Sequence, residues 1–346
     1  MLPKFKTELI SFMVLAVIFI FSVASALCTE EQTEPVELET GFYYTVQKGD
    51  TLWDLSEKFS NTPWVWPELW SENKQLANPH WIYPGQRIRL YLRKDLEKVK
   101  IPVKKTAPPP EPEPETLPVK EMPTYFYPKI DSVGFIKKEA VTPSATIIKV
   151  KDDKEMISQN DLIFVRPSDG TALAPGETFF IYRNFKPLKE KKTVYGIQHY
   201  ITGIAEITKV ESEYALAKVT CSFRPIQVHD LLIPYKKRTP NITLSESVSD
   251  LEGEIIISEE RSNYFGDNTT VFINKGTKDG VEDGQMYNVY YEEHTPVGAR
   301  SKQTALTPIT YGTILVLHTE LETATVLITS SKRDMNPGAK IHVARN

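Results

Sequence analysis

The 346-residue chain has few cysteines and histidines and no excess of positive charge, the features that metal sites and nucleic-acid-binding surfaces require. It has two cysteines, Cys28 and Cys221, which are too few for a disulfide framework or a cysteine metal site. Its six histidines are scattered, with no pair at the i, i+4 spacing of a zinc-binding helix. A net charge of −4 provides no basic field for nucleic acid. No nucleophile elbow, phosphate-binding loop or dinucleotide fingerprint appears, so the sequence predicts a non-enzymatic protein without cofactor or metal.

Tryptophan is absent from most of the chain. All five tryptophans crowd into one short window: Trp53, Trp64, Trp66, Trp70 and Trp81. We predict that Trp53, Trp66 and Trp70 fill the core of a small domain, because a module of about 50 residues has little else to bury. Trp64 and Trp81 lie beside prolines in loop-like sequence, so these two are the candidates for exposure.

The N-terminal segment has the pattern of a secretory signal. Basic residues precede a long apolar run that ends in the small-residue site Ala24-Ser25-Ala26. This pattern predicts a signal peptide over residues 1–26 and an exported protein, periplasmic or associated with the cell envelope. Two alternatives stay open. The run is nearly long enough for an uncleaved membrane anchor, and Cys28 could be lipidated, although Leu27 is large for that signal. Only these alternatives would place the protein on a membrane.

Composition divides the rest of the chain into five parts. Residues 27–41 are acidic and are expected to be disordered, whereas 42–93 are compact in character. Residues 94–124 are a linker rich in Pro and Glu, with eight prolines. Such a linker prefers polyproline II and, at about 3.1 Å per residue, could space two domains by roughly 60 Å. Residues 125–238 and 239–346 are then two β domains.

The compact segment is expected to fold as strand, helix, helix, strand. Aromatic and β-branched residues predict a strand over 42–46, and alternation predicts another over 86–92. Leucines at helical spacing predict a helix over 51–59 with Asp50 as its N-cap. A second helix is expected from residue 63 or 64 to residue 74.

The C-terminal 222 residues, 125–346, consist of short β-like runs separated by Gly, Pro, Asn and Asp. An internal repeat is visible there, since Gly203 matches Gly312 at an offset of 109 and Phe164 matches Phe272 at 108. The fold class expected is therefore multidomain: a small β-α-α-β domain, a Pro-rich linker, and a mainly-β region of two duplicated antiparallel units, each barrel-like or sandwich-like.

The compact segment also carries a recognisable motif. The residues that carry it are Tyr44-Thr45-Val46, Gly49-Asp50-Thr51-Leu52-Trp53, Asn73, Ile82-Tyr83-Pro84-Gly85-Gln86 and Arg87-Ile88-Arg89-Leu90. This set resembles the lysin motif, LysM, a small β-α-α-β carbohydrate-binding module. The Trp-rich stretch 61–81 is similar to an elongated LysM variant of bacterial envelope proteins.

The resemblance implies a shallow groove between two loops. There, backbone amides and carbonyls would meet the N-acetyl groups of a glycan that contains N-acetylglucosamine, such as peptidoglycan. The glycan-binding residues that the resemblance implies are Gly49, Asp50, Thr51 and Leu52 on one side and Trp81, Ile82, Tyr83 and Pro84 on the other.

The sequence therefore predicts a non-catalytic, peptidoglycan-binding envelope protein with no nucleic-acid partner. Its β domains, residues 125–346, are expected to scaffold or bind another envelope component. One alternative is a structural part of a pilus, secretion or flagellar machine, in which the LysM-like module only localises the protein. Another is a cell-wall hydrolase with an unrecognised site among the β domains.

Overall fold

From residue 40 onward the chain is mostly antiparallel β-sheet. The computed structural model describes residues 40–60, 62–90, 123–154, 156–190, 193–297 and 302–343. The predicted signal or anchor, Cys28, the acidic segment up to residue 39 and most of the linker lie outside these residues.

The N-terminal module contains two strands and two α-helices in the predicted order. Its elements are β1 (Gly41–Thr45), α1 (Leu52–Ser60), a 3₁₀ turn (Pro63–Val65), α2 (Trp66–Ser71) and β2 (Arg87–Leu90). Helix α1 forms because Leu52 and Leu55 recur on one face, which is buried against the two strands. The module therefore has one small core, which lies between its two helices and the antiparallel strands β1 and β2.

The remaining described residues fold as a series of strands. Up to residue 234 these are β3 (Thr124–Phe126), β4 (Phe135–Lys137), β5 (Ala145–Val150), β6 (Leu162–Pro167), β7 (Thr178–Asn184), β8 (Leu188–Glu190), β9 (Thr193–Val210), β10 (Ala215–Ser222) and β11 (Leu231–Pro234). Beyond it are β12 (Asn241–Thr243), β13 (Glu252–Ser258), β14 (Thr270–Ile273), β15 (Met286–Tyr291), β16 (His294–Val297), β17 (Lys302–Ala305), β18 (Ile309–Thr319), β19 (Ala324–Ser331) and β20 (Lys340–Val343). Short 3₁₀ turns cover Ile130–Ser132, Lys151–Asp153 and Thr277–Asp279.

Twelve of these strands close into two six-stranded barrels. Barrel 1 has the order β5-β6-β10-β9-β7-β11, with β11 pairing back to β5. Barrel 2 has the order β13-β14-β19-β18-β15-β20, with β20 pairing back to β13. Closure leaves no free edge on either ring, which is how small antiparallel sheets avoid edge-to-edge aggregation.

The two rings also share their irregularities. Ile148 in β5 lies at a bulge between two register positions of β6, and Ile256 in β13 lies at the same kind of bulge opposite β14. The pair β9–β10 has two register shifts, and the pair β18–β19 has two at positions 109 residues later. Bulges bend a strand and raise its twist, so shared bulges give the two barrels the same local shape.

Each barrel encloses an apolar core. Ile147 and Val165 are fully buried in barrel 1, and their counterparts Ile255 and Ile273 are fully buried in barrel 2. Because successive residues of a strand face opposite sides, the outward neighbours of these residues form the outer faces of the barrels. Burial of each such side chain contributes about 1.5–3 kcal/mol.

The N-terminal module is joined to the barrels by a continuous sheet. Strands β12, β3, β1 and β2 form one four-stranded sheet, in which Phe42 pairs with Leu90 on one side and with Tyr125 on the other. Two strand spacings separate Leu90 from Tyr125, or about 10 Å. The two ends of the linker therefore lie close together, although a polyproline II linker of this length could span roughly 60 Å.

A buried ion pair crosses from barrel 1 to barrel 2. The guanidinium of Arg224 lies 2.9 Å from the Glu259 carboxylate and 2.8 Å from that of Glu260. Arg224 also donates to the carbonyls of Ser132 and Ile201, each at 2.7 Å. These directional bonds hold the barrels in one mutual orientation.

Candidate functional site

Two loops of the N-terminal module lie side by side. The Val46 amide donates to the Gln86 carbonyl and the Gly85 amide donates to the Val46 carbonyl, both at 2.8 Å. Gly49 and Gly85 have φ values of +100° and +86°, with open space where a Cβ would stand. Glycine is needed at both positions for the backbone conformation and not for packing. The structure thus brings together the two loops that the sequence predicted to form a groove.

The first loop differs from prediction at the start of α1. The Thr51 hydroxyl accepts from the Asp54 amide at 3.1 Å and donates to the Asp54 carboxylate at 2.7 Å. Thr51 is therefore the N-cap, and the prediction of Asp50 in that role is wrong. The Asp50 carboxylate instead accepts from the Gln47 amide at 2.8 Å, which closes the loop before the helix. Leu52 is buried in the core, so it can offer a glycan only its backbone.

The second loop presents two large aromatic side chains. Trp81 is 66% exposed and Tyr83 is 64% exposed, whereas Ile82 between them packs against the core of the module. The turn is closed by the Tyr83 amide, which donates to the Gln86 side chain at 3.1 Å, and by the Gln86 amide, which donates to the Tyr83 carbonyl at 3.0 Å. Pro84 is exposed at its tip. Rings held on a tight turn lose little entropy when they bind.

This module matches a known family. Residues 44–90 match the family model of the LysM domain. The chain carries a LysM domain. No family model matches the rest of the chain, and none of the curated proteins compared with it matches. A LysM domain indicates binding to glycans of the peptidoglycan or chitin type, and such domains occur in extracytoplasmic proteins.

Aliphatic residues and one tyrosine dominate the core of the LysM domain. Its buried residues are Tyr44, Val46, Leu52, Leu55, Leu69, Leu76, Ile88 and Leu90. Trp66 packs against them but is only half-buried, so its predicted place in the core is met in part. Trp53 is 39% exposed and Trp70 is 36% exposed, so their assignment to the core is wrong. The Trp70 indole N–H donates to the Leu76 carbonyl at 2.8 Å, and the ring covers the domain from outside.

An aromatic pair that the sequence did not predict lies on the surface. The rings of Trp53 and Trp64 meet edge to face, with centroids 4.9 Å apart. Trp64 is the most exposed tryptophan of the chain, in agreement with its predicted exposure. The two residues come from α1 and the following 3₁₀ turn, so only the packing of that turn on the helix brings them together.

A buried asparagine, Asn73, joins helix α2 to strand β2, which follows the second loop. The Asn73 amide group donates to the Leu69 carbonyl at 2.7 Å and to the Arg89 carbonyl at 2.9 Å. Its side-chain oxygen accepts from the Arg89 amide at 2.7 Å. Asn73 thus fastens α2 to the outer edge of β2, directly after the second loop, and satisfies backbone groups that would otherwise be buried unpaired.

Two buried titratable groups lie outside the barrel cores, His199 against Phe135 and Tyr182 and Glu259 between the two barrels. Burial lowers the pKa of His199 to about 4, and the neutral ring accepts from the Val141 amide at 3.0 Å. Burial raises the pKa of Glu259, against the lowering influence of Arg224 and of the Gly134 amide. Across the described ranges, no three His, Cys, Asp or Glu side chains converge as a metal site would require. Likewise, no helix within those ranges has the length and apolarity to cross a bilayer.

Proposed function

We propose that this is an exported, non-catalytic envelope protein that holds peptidoglycan through its LysM domain. The observation that carries the proposal is the pair of adjacent loops, 47–52 and 81–86, fixed by the Val46–Gln86 and Gly85–Val46 backbone bonds. Its two barrels would scaffold or bind another component of the envelope.

The loops supply the chemistry that an N-acetylated glycan requires. Each N-acetyl group has one N–H donor and one carbonyl acceptor. The first amides of α1, those of Leu52 and Trp53, have no acceptor within the helix and can donate to such a carbonyl. The exposed ring of Tyr83 offers an apolar face with a polar hydroxyl tip, which suits the mixed surface of a sugar ring.

We further infer that the two barrels are copies of one ancestral unit. Support comes from their identical strand order, from bulges at matching positions, and from the sequence repeat at offsets of 108 and 109. The Arg224–Glu259 ion pair, at 2.9 Å, links the two barrels and would help them act as one platform. A rigid platform joined by a continuous sheet to a glycan-binding domain is suited to present a partner at a fixed position on the wall.

The test is sedimentation of the exported full-length protein with insoluble peptidoglycan. The wild type is expected to pellet with the glycan, and Tyr83→Ala is expected to weaken retention about tenfold, which corresponds to 1.4 kcal/mol. Asp50→Ala is expected to weaken it as well, because the loop loses the bond to the Gln47 amide. Tyr264→Ala is the matched control, since Tyr264 is 69% exposed in the segment between β13 and β14 of barrel 2 and lies outside residues 44–90.

Two outcomes would contradict the proposal. If Tyr83→Ala and Tyr264→Ala are retained equally, the groove is not where the glycan binds. If the purified protein releases soluble muropeptides from peptidoglycan, it is a hydrolase, and the non-catalytic function is refuted.

A further inference from the structure

One exposed aromatic pair of the LysM domain is not part of the groove. Trp64 is 71% exposed and its partner Trp53 is 39% exposed. Neither belongs to the core of the domain or to the hydrophobic residues packed at the edge of that core. An indole gains free energy from burial in proportion to its apolar area. Two of them side by side in water form a contiguous apolar patch, and such patches mark binding surfaces.

The Trp64 ring is held in place by its neighbours. It meets the Trp53 ring edge to face, with the centroids 4.9 Å apart and the ring planes at 74°. Its backbone lies in the 3₁₀ turn that begins at Pro63, and the Trp66 amide closes this turn by donating to the Pro63 carbonyl. Proline fixes its own φ, which further restricts the turn. A ring held in this way loses little entropy when a ligand covers it.

The segment that carries Trp64 contacts residues next to both loops of the groove. Trp53, whose ring meets that of Trp64, directly follows Leu52, the last residue of the first loop. On the other side, the Trp66 ring lies 6.2 Å from the ring of His80, which directly precedes the second loop. The Trp53–Trp64 pair therefore continues the surface that the two loops form.

A sugar ring is the ligand whose chemistry suits this place. A β-linked N-acetylglucosamine ring presents C–H groups on its flat faces and carries its hydroxyls around the edge. A flat indole can cover the C–H groups and leave the hydroxyls in water, so the contact removes apolar area from water without stranding a polar group. The glycan proposed for the groove is a polymer, and its next ring leaves the loops beside the residues that Trp64 contacts.

We propose that the Trp53–Trp64 pair is an additional subsite outside the two loops, where Trp64 stacks on a further sugar ring of the glycan that occupies the groove. The inference rests on the proposed function and adds to it a dependence on glycan length. A short oligomer fills the groove alone, whereas a longer one also reaches Trp64 and gains the stacking contact. The domain would therefore favour uninterrupted glycan strands over short fragments.

The experiment is isothermal titration calorimetry of the exported full-length protein with soluble N-acetylglucosamine oligomers, from the dimer to the hexamer. The affinity of the wild type is expected to rise with oligomer length. Trp64→Ala is expected to bind the hexamer about tenfold more weakly, which corresponds to 1.4 kcal/mol, and to bind the shortest oligomer that the wild type binds equally well. Tyr83→Ala, within the groove, is expected to weaken binding at every length.

Further variants separate stacking from general hydrophobicity and from unfolding. Trp64→Tyr keeps a flat ring and is expected to retain most of the dependence on length, whereas Trp64→Leu is expected to lose it as Trp64→Ala does. Tyr264→Ala, which removes an exposed aromatic ring outside residues 44–90, is expected to bind as the wild type does. Urea unfolding followed by the emission of the remaining tryptophans checks the LysM domain, and its midpoint is expected to change little because Trp64 lies outside the core.

Failure of the subsite and failure of the proposed function give different results. If Trp64→Ala binds the hexamer as tightly as the wild type while Tyr83→Ala binds it weakly, the subsite is overturned and the groove stands. A Trp64→Ala defect of equal size at every length would also overturn the subsite, and so would a wild type that pellets with peptidoglycan but binds no oligomer. A wild type that binds neither the oligomers nor insoluble peptidoglycan would overturn the proposed function together with the subsite.

Discussion

Asn73 is the polar residue on which the LysM domain depends most. We predict that Asn73→Ala removes three short hydrogen bonds, to Leu69 and to both backbone groups of Arg89, at a site without access to solvent. A buried hydrogen bond contributes about 1 kcal/mol net, and more when its partner is left unpaired. The expected loss is therefore about 3 kcal/mol, a large share of what a module of some 50 residues has in total, which is about 2.5–7.5 kcal/mol.

The distribution of tryptophan supplies the assay. Every tryptophan of the chain lies in the LysM domain, so tryptophan emission of the full-length protein follows that domain while far-UV circular dichroism follows mainly the barrels. With a urea slope of about 1 kcal/mol per M, the emission midpoint is expected to fall by about 3 M. The circular dichroism transition of the barrels is expected to move much less.

The matched control is Asn78→Ala. Asn78 accepts one bond, from the His80 amide at 2.9 Å, at an exposed turn, so its removal is expected to cost about 0.5 kcal/mol. Equal shifts of the emission midpoint in the two variants would refute the reasoning, because burial would then contribute nothing to the value of the Asn73 bonds.

Two further predictions concern the barrels. Arg224→Met leaves the buried Glu259 carboxylate without its cation, and is expected to lower the free energy of unfolding by about 3–5 kcal/mol, measured by urea unfolding followed by circular dichroism. Adding Glu259→Gln is expected to restore part of this loss. A double variant as unstable as the single variant would contradict the account. Because burial lowers the pKa of His199 to about 4 from an ordinary 6.5, the unfolded chain binds more protons between these values. The free energy of unfolding is therefore expected to fall as the pH drops from about 6.5 towards 4. In His199→Gln, the dependence of this free energy on pH is expected to be flatter over that range. Identical pH dependence in the wild type and the variant would exclude His199 as the cause.

The loops of the LysM domain could be predicted because their chemistry is local. Glycine at residues 49 and 85 is required for left-handed backbone, and both positions have positive φ. The identity of the cap could not be settled in the same way, because Asp50 and Thr51 are adjacent and both are good cap residues. In the structure the Asp50 carboxylate accepts from the Gln47 amide, and the Thr51 hydroxyl caps the helix by accepting from the Asp54 amide.

The placement of the tryptophans failed for a different reason. Size alone suggested that they were needed to fill a small core, yet leucines, isoleucine, valine and Tyr44 already fill it. Trp53 and Trp70 then lie across the outside of the domain, 39% and 36% exposed. Hydrophobicity indicates that a side chain gains from burial, but it does not rank residues that compete for one limited volume.

The four-stranded sheet was not predictable from local pattern. Strands β3 and β12 have three residues each. The pairs Phe42–Tyr125 and Tyr125–Ile242 join parts of the chain that are 83 and 117 residues apart. From the sequence alone, these three-residue segments could equally well be assigned to strands of a barrel. Such pairing is decided by the packing around it, here by the contact of Tyr125 and Tyr127 with Leu315 and Leu327 of barrel 2.

The sheet that joins the LysM domain to the barrels also has a mechanical consequence. A pulling force between a glycan bound by the domain and a partner bound by the barrels would pass through the three residue pairs of β1 and β3 and the Arg87–Asn241 hydrogen bond. The covalent path from Leu90 to Pro123 has 33 peptide steps, which can extend to roughly 110 Å, against about 10 Å between its two ends. If the β1–β3 pairing yields, the protein lengthens by that reserve without unfolding either barrel. On the proposed function, the short pairing and the long linker would together form a releasable tether between a bound glycan and a partner of the barrels.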